Sequence, residues 1–234
     1  MNTNNNKDLF FPATAEVNII PVVQGDEQIK VEAGDLPETL PILALRNAVL
    51  FPGMVYPVTI GRQKSITLIK EAERRDSFIG AVPQVDVSVE DPGEKDLYEY
   101  GTVARVMKVL EMPDGTITAI IQGVKRIQVT GVVSLEPYIT ATVKYVEDII
   151  PENDNSTKMI AESLKEKAAV IIKSSSFAPK EAVGALKSID NYAFLVNFIA
   201  TTVEIENFME KVQLLGIDDI TVRAMKLLQV LDTQ

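Results

Sequence analysis

Gly101-Thr-Val-Ala-Arg-Val-Met-Lys-Val-Leu110 and Thr116-Ile-Thr-Ala-Ile-Ile121, separated by Met112-Pro113-Asp114-Gly115, read as two β-strands joined by a tight turn. Both runs are rich in β-branched residues, the proline presets φ and the glycine permits a positive φ. Val103, Arg105, Met107 and Val109 fall on one face of the first strand and Thr102, Ala104, Val106 and Lys108 on the other. Neither face is cleanly polar, so both are expected to be covered, as in a closed barrel. Downstream, Gly123 follows immediately, extended sequence continues through Val124, Ile127, Val129 and Val132, and Tyr138 to Val146 supplies a further strand. Upstream, Gln63 to Arg74 reads as a helix with Ile66, Ile69 and Ala72 as its narrow apolar stripe. From Thr39 to about Asp148 the chain is thus expected to form a mainly antiparallel sheet or barrel with one helix.

The flanks differ. Residues 1–38 carry Pro12, Pro21, Gly25, Gly34 and Pro37 around one apolar run at Val17 to Val23, and are read as an arm, flexible or holding one strand. Residues 149–157 include Pro151-Glu-Asn-Asp-Asn-Ser156, a linker and helix-start signal. Residues 158–234 read as an all-α bundle. Ile160, Leu164, Ala168 and Ile171 give one helix its stripe, and Ser174 to Pro179 breaks it. Further helices are predicted at Pro179 to Ser188, Asn191 to Ala200, Val203 to Leu214 and Asp219 to Leu231, with Gly216 as a stop. The last carries the stripe Val222, Met225, Leu228 and Leu231 and runs almost to Gln234 without a terminator, as expected of a truncated helix.

Composition narrows the chemistry. The chain has 234 residues with no cysteine and no histidine, which removes thiolate nucleophiles, disulfides and the commonest metal ligand and general base. Asn-rich Met1 to Asp8 carries no signal-peptide core, and no window reaches the roughly 18 apolar residues a spanning helix needs. A cytoplasmic protein with no membrane partner is expected. The net charge of −10 opposes non-specific attraction to nucleic acid, so partners are expected to be proteins.

Two candidate binding features stand out. Ala48 to Pro57 concentrates Val49, Leu50, Phe51, Met54, Val55 and Tyr56 between proline and glycine breaks, which makes either ordinary core or an apolar groove for extended, unfolded polypeptide. Arg62 and Lys64, with Lys70, Arg74 and Arg75, make the predicted helix basic within an acidic chain, either as a solvated face or as a contact for acidic substrate segments or a neighbouring subunit. The substrate-binding set is therefore Val49, Leu50, Phe51, Met54, Tyr56, Arg62 and Lys64. Lys125 and Arg126 with Arg105 and Lys108 lack the aromatic interleaving of a nucleic-acid surface. Asp91-Pro92-Gly93 reads as a turn and Asp218-Asp219 as a helix cap rather than metal or acid–base groups, while Ser163 and Lys165, two apart on a helix, point in different directions. No catalytic, cofactor or metal site is expected.

The run Leu40-Pro-Ile-Leu-Ala-Leu-Arg-Asn-Ala-Val-Leu-Phe-Pro-Gly-Met-Val-Tyr-Pro57 resembles the opening strand and loop of Lon amino-terminal domains. Gly61-Arg-Gln-Lys-Ser65, Gly101-Thr-Val-Ala104, Pro113-Asp-Gly115 and Gly123-Val-Lys-Arg126 follow in the family's order, and the helical region continues the match through Leu215 and Arg223. Gln63 departs from the glutamate common in the motif, and the first 38 residues match nothing in the pattern. The resemblance implies an α+β fold: a mainly antiparallel, PUA-like β pseudobarrel, related to accessory domains of RNA-modifying proteins, followed by a helical bundle. It implies a non-catalytic substrate-recognition and assembly region of an ATP-dependent protease, serving protein quality control by engaging unfolded, damaged or tagged proteins. Other subunits of a hexamer are the second implied partner. ATP and Mg belong, on this reading, to an ATPase module for which the chain has no room, as it has none for a serine–lysine proteolytic dyad. The competing readings are a purely structural hexamer brace and entry gate, and a standalone Lon-domain adaptor or RNA-binding barrel.

Overall fold

The computed structural model describes residues 36–112, 116–152, 155–175 and 181–233. Most of the expected arm, the turn residues Pro113 to Gly115 and the greater part of the break after Ser174 lie outside the described residues. The elements in order are β1 (Thr39–Leu45), β2 (Val55–Ile60), α1 (Gln63–Arg75), β3 (Phe78–Pro83), β4 (Tyr100–Glu111), β5 (Ile117–Ser134) and β6 (Thr140–Val146), then α2 (Asn155–Ser174), α3 (Ala182–Ser188), α4 (Tyr192–Thr202), α5 (Phe208–Gly216) and α6 (Ile220–Leu231). The fold is α+β.

The strands form one sheet in the order β2-β5-β4-β3-β1-β6, with β5 also pairing β6. That second pairing joins β1, β3, β4, β5 and β6 into a ring, and only β1 with β3 runs parallel. Closure depends on the length of β5. Its first part, Ile117 to Gln122, holds β2, and its second, Arg126 to Ser134, holds β6. Extended sequence is expected to continue past Gly123, and the chain does so as one strand with a bulge: Ala104 faces Gly123 and Val103 faces Lys125, leaving Val124 as the extra residue.

The mixed faces of β4 are both covered in its first half, whereas Met107 and Lys108 beyond it are exposed. Val103 packs inside the ring with Leu40, Ile42, Val82 and Ile127, while its neighbours Ala104 and Val106 join a larger core shared with the helices. Alternation therefore feeds two apolar clusters instead of one cluster and solvent. α1 begins where expected and buries Leu68, Ile69 and Ala72, with Ile66 only partly covered.

Among the helices, α4 is apolar nearly all round and buries six consecutive residues, Leu195 to Ala200. Such a helix must be central, and α2, α3 and α6 all pack on it. Two sequence expectations need correction. The helix predicted from Val203 starts only at Phe208, because Asn207 caps it by accepting from the Met209 amide at 3.1 Å. The stripe predicted on α6 is rotated by about one residue, roughly 100°. Arg223, Ala224, Leu227, Val230 and Leu231 are buried, whereas Val222 and Met225 are about half exposed. The cause is Arg223, fully buried despite its charge and held inward by acceptors from three other segments.

Candidate functional site

The loop between β1 and β2 lies between the sheet and the helices. Thr102 on β4 donates its hydroxyl to the Leu50 carbonyl at 2.6 Å. Gly53 donates its amide to the Gly123 carbonyl, and Gly123 donates its own to the Met54 carbonyl, each at 2.9 Å. From the helical side, Asn197 of α4 donates to the Pro52 carbonyl at 3.2 Å. The approach is so close that a Cβ on Gly123 would stand 2.5 Å from the Phe51 oxygen. Gly53 has φ +81°, and a Cβ there would meet the Phe194 ring at 3.0 Å.

This geometry corrects the expectation of an exposed apolar groove. Val49, Leu50, Phe51 and Met54 are buried to 2% exposure or less and belong to the shared core; Tyr56 is half-buried against it. Core packing is the reading that holds. These side chains fasten the β part to the helices and are not available to a substrate in this conformation.

A buried ionic cluster makes the same connection beside it. Arg126 on β5 and Arg223 on α6 are at most 1% exposed, and both donate to Oδ1 of Asp148, at 2.6 and 2.8 Å. Arg126 also reaches Asp218 Oδ1 and the Leu215 carbonyl, each at 3.0 Å, and Arg223 reaches Asn197 Oδ1 at 3.2 Å. Two guanidiniums share two carboxylates and several backbone oxygens, so each buried charge has partners. Burial pulls the Arg223 pKa down, and the nearby Asp148 opposes that. Arg126 is thereby removed from the basic surface considered above, and Arg105 is occupied by Asp76 at 2.5 Å and Lys125 by Glu147.

Arg62 and Lys64 do come together, at the rim of a groove of about 290 Å3 beside the start of α1. Its floor is Ile42, Ala44, Leu68 and Ile139, flanked by Tyr138. Gln84, fully buried, organises the wall by donating to the Asp86 and Val89 carbonyls and accepting from Arg62 Nη2 at 2.6 Å. Lys64 pairs with Asp91 at 3.0 Å and Glu136 at 2.8 Å, and Arg46 with Glu90 at 2.8 Å. Arg62 instead spends Nη2 on two neutral acceptors, Gln84 and the Val89 carbonyl, and its buried Nε has no hydrogen-bond partner among the described residues. Burial, then Arg46, lowers its pKa; Glu90 and Asp91 act the other way.

The sequence reading missed an apolar surface on the helical side. The Ile149 amide donates to the Asp218 carbonyl and the Ile220 amide to that of Ile149, which brings Ile149 and Ile150 beside the start of α6. Those two residues, with Val222 and Met225, are between 52% and 60% exposed, and Met159 on the adjoining helix α2 reaches 67%. Periodicity assigns Val222 and Met225 to the core; only the buried arginine between them, Arg223, signals otherwise. Ser163 and Lys165 donate to separate backbone carbonyls, of Met159 and Ile189, and make no dyad. Asp219 caps α6 as expected, accepting from the Thr221 and Val222 amides at 2.8 and 3.0 Å. Among the described residues no acidic cluster gathers to hold a metal ion, and no helix is long and apolar enough to cross a membrane.

Comparisons with known proteins agree with this architecture. The structure is similar to that of the amino-terminal domain of a Mycobacterium avium complex Lon protease, with a TM-score of 0.67, covering 83% of this chain and 98% of that one. At 18% identity this likeness concerns the fold alone. The Lon protease of Flavobacterium johnsoniae is 42% identical over 221 residues, and that of Cytophaga hutchinsonii 38% over 220. In both cases 94% of this chain is covered but only 27% of the relative, so the chain spans about a quarter of their length. Residues 39–233 match the family described as the ATP-dependent protease La (LON) substrate-binding domain, and the chain belongs to that family.

Proposed function

We propose that this chain is the non-catalytic substrate-recognition and assembly region of an ATP-dependent protease of the cytoplasm, engaging unfolded or damaged proteins through its outer apolar surface. The observation that carries the reading is the group Ile149, Ile150, Val222 and Met225, large apolar side chains left in water where residues 149–150 meet the start of α6, with Met159 of the neighbouring helix α2 also exposed. Exposed apolar area of this kind gains by covering, and methionine adapts to varied partners without fixed shape. A single such site binds weakly after the cost of ordering a flexible chain, and copies arranged in a ring raise the effective concentration. ATP, Mg and peptide cleavage belong, in this proposal, to modules outside this sequence. The closed ring of strands is read as a PUA-like pseudobarrel serving as a platform, and the helices as a bundle presenting the surface.

The test is photo-crosslinking of a labelled, reduced and alkylated protein that cannot refold to the intact 234-residue chain. Crosslinks on Met159, Val222 and Met225, competed by unlabelled substrate and lost in Met159→Lys and Met225→Lys, are the expected result. A folded chain giving no competable crosslinks would refute recognition. The scaffold reading, a hexamer brace and gate, would then take its place, supported by the buried Arg126–Asp148–Arg223 cluster that stiffens the block. Sedimentation of the whole protease with and without this region separates the two, since a brace is needed for assembly itself.

A further inference from the structure

We propose that the groove beside α1 captures the carboxy-terminal end of an extended apolar peptide, which pairs with β1 at Ala44 and presents its carboxylate to Arg62. The inference rests on the recognition reading above and places a second, more selective contact on the β side.

The first ground is an open strand edge. The Ile42 amide donates to the Ile139 carbonyl at 2.8 Å, toward β6, while the Leu45 carbonyl accepts from Gln84 at 2.8 Å, on the β3 side. Backbone groups alternate along a strand, so the amide and carbonyl of Ala44 point with those of Ile42, away from β3 and toward the groove. The antiparallel register that pairs Pro41 with Thr140 would bring Pro137 opposite Ala44. Proline has no amide to donate, and β6 begins only at Thr140. An incoming strand can supply that amide and a carbonyl.

The second ground is charge. Along this rim Arg46 and Lys64 each have carboxylate partners, whereas Arg62, which lines the groove, makes no ion pair among the described residues, and Glu90 and Asp91 act on it only at a distance. A carboxylate entering here gives this guanidinium the direct, charge-assisted ion pair that the described residues do not supply. The floor of Ala44, Leu68 and Ile139 then takes an apolar side chain.

The third ground selects a chain end over a passing chain. The free edge is one residue wide, and Lys64, held by Asp91 and Glu136 at once, spans the rim. A through-running segment would have to break both pairs; a terminus need not.

The experiment is a fluorescence anisotropy titration of the intact chain with three labelled hexapeptides of apolar sequence. One has a free carboxy terminus, one a terminal amide, and one a terminal amide with an internal aspartate. The free acid is expected to bind about tenfold more tightly than either amide, and Arg62→Gln to abolish that difference. Amide chemical-shift mapping on the unsubstituted chain should move Ala44 and its neighbours Leu68 and Ile139, which keeps the proposal testable even if the variant folds poorly. Equal binding of acid and amide, preference for the internal aspartate, or shifts confined to Met159, Val222 and Met225 would overturn the groove. The last pattern would leave the apolar-surface reading standing, whereas binding in the groove without crosslinks on that surface would do the reverse.

Discussion

Asp148→Ala should loosen the union of the two halves of the molecule. Its Oδ1 accepts from Arg126 Nε at 2.6 Å and from Arg223 Nη2 at 2.8 Å, and both arginines are at most 1% exposed. Removing one partner of a buried ion pair costs about 3–5 kcal/mol, because the remaining charge stays desolvated. Here two charges lose the same partner. Arg126 keeps Asp218 and the Leu215 carbonyl, Arg223 keeps the Ile217 carbonyl and Asn197, and the Asp148 side chain is itself 20% exposed. The lower end, about 3 kcal/mol, is therefore expected. With a urea slope of about 2–3 kcal/mol/M, the midpoint should fall by about 1 M. The assay is equilibrium unfolding by far-ultraviolet circular dichroism, paired with amide hydrogen exchange in α6 and β5. Arg223→Met, which removes the charge but keeps bulk, should cost less than Asp148→Ala. The double variant should cost at least about 1 kcal/mol less than the sum of the two. A loss below about 0.5 kcal/mol for Asp148→Ala, or strict additivity, would refute the argument that this cluster holds the halves together.

Gly123→Ala places a Cβ 2.5 Å from the Phe51 oxygen and should destabilise by more than about 2 kcal/mol, read as a lowered urea midpoint. Phe51→Ala should cost about 3–5 kcal/mol in the same measurement, as for other fully buried aromatics. Asp219→Ala removes the acceptor for two amides at the start of α6 and should cost about 1 kcal/mol. Lys211, half-buried and with the Thr201 carbonyl 3.4 Å from its ammonium, has a pKa pulled down to about 8 by burial, against 10.5 ordinarily. Between those values the unfolded chain retains a proton that the folded chain has released, so this group makes stability rise with pH across the window and contributes no slope below it. Lys211→Met should accordingly stabilise by roughly 1–2 kcal/mol at pH 7, a gain that shrinks by pH 10 and is followed by urea unfolding at each pH.

Much of the β part was legible because its signals are local. The strands from Gly101 to Leu110 and Thr116 to Ile121 announce their pairing through β-branched runs either side of a proline–glycine turn signal, and α1 declares its start within one residue. Asp219 likewise identifies itself as a cap. The candidate site was not legible in the same way. Val49, Leu50, Phe51 and Met54 look alike whether they line a groove or seal a joint, since apolar character in a broken loop says nothing about what lies above it. The covering element, α4, is about 145 residues away in sequence from Pro52. The rotation of α6 failed for a complementary reason: a stripe of Val222, Met225 and Leu228 outweighs one arginine in any periodic count. Arg223 is nevertheless the residue that faces inward, because Asp148, Ile217 and Asn197 supply acceptors that no local window contains. Arg62 and Lys64 were found as charges, but the open edge at Ala44 beside them depends on where β6 begins.

The burial of the loop changes how any loss of substrate binding must be interpreted. A substitution at Phe51 or Met54 acts first on the union of sheet and helices, and only through it on the surfaces at either end. Those surfaces depend on the union in different ways. Ile149 is held against the start of α6 by backbone hydrogen bonds immediately after Asp148, with Ile150 next to it, so the apolar surface should loosen whenever the ionic cluster is broken. The groove at Arg62 is built from α1, β1, the Gln84 to Pro92 segment and Tyr138 and Ile139, which among the described residues make no side-chain hydrogen bond or ion pair to that cluster. Breaking the cluster should therefore impair capture by the helical surface while sparing the groove, a separation that a generally destabilised protein would not produce.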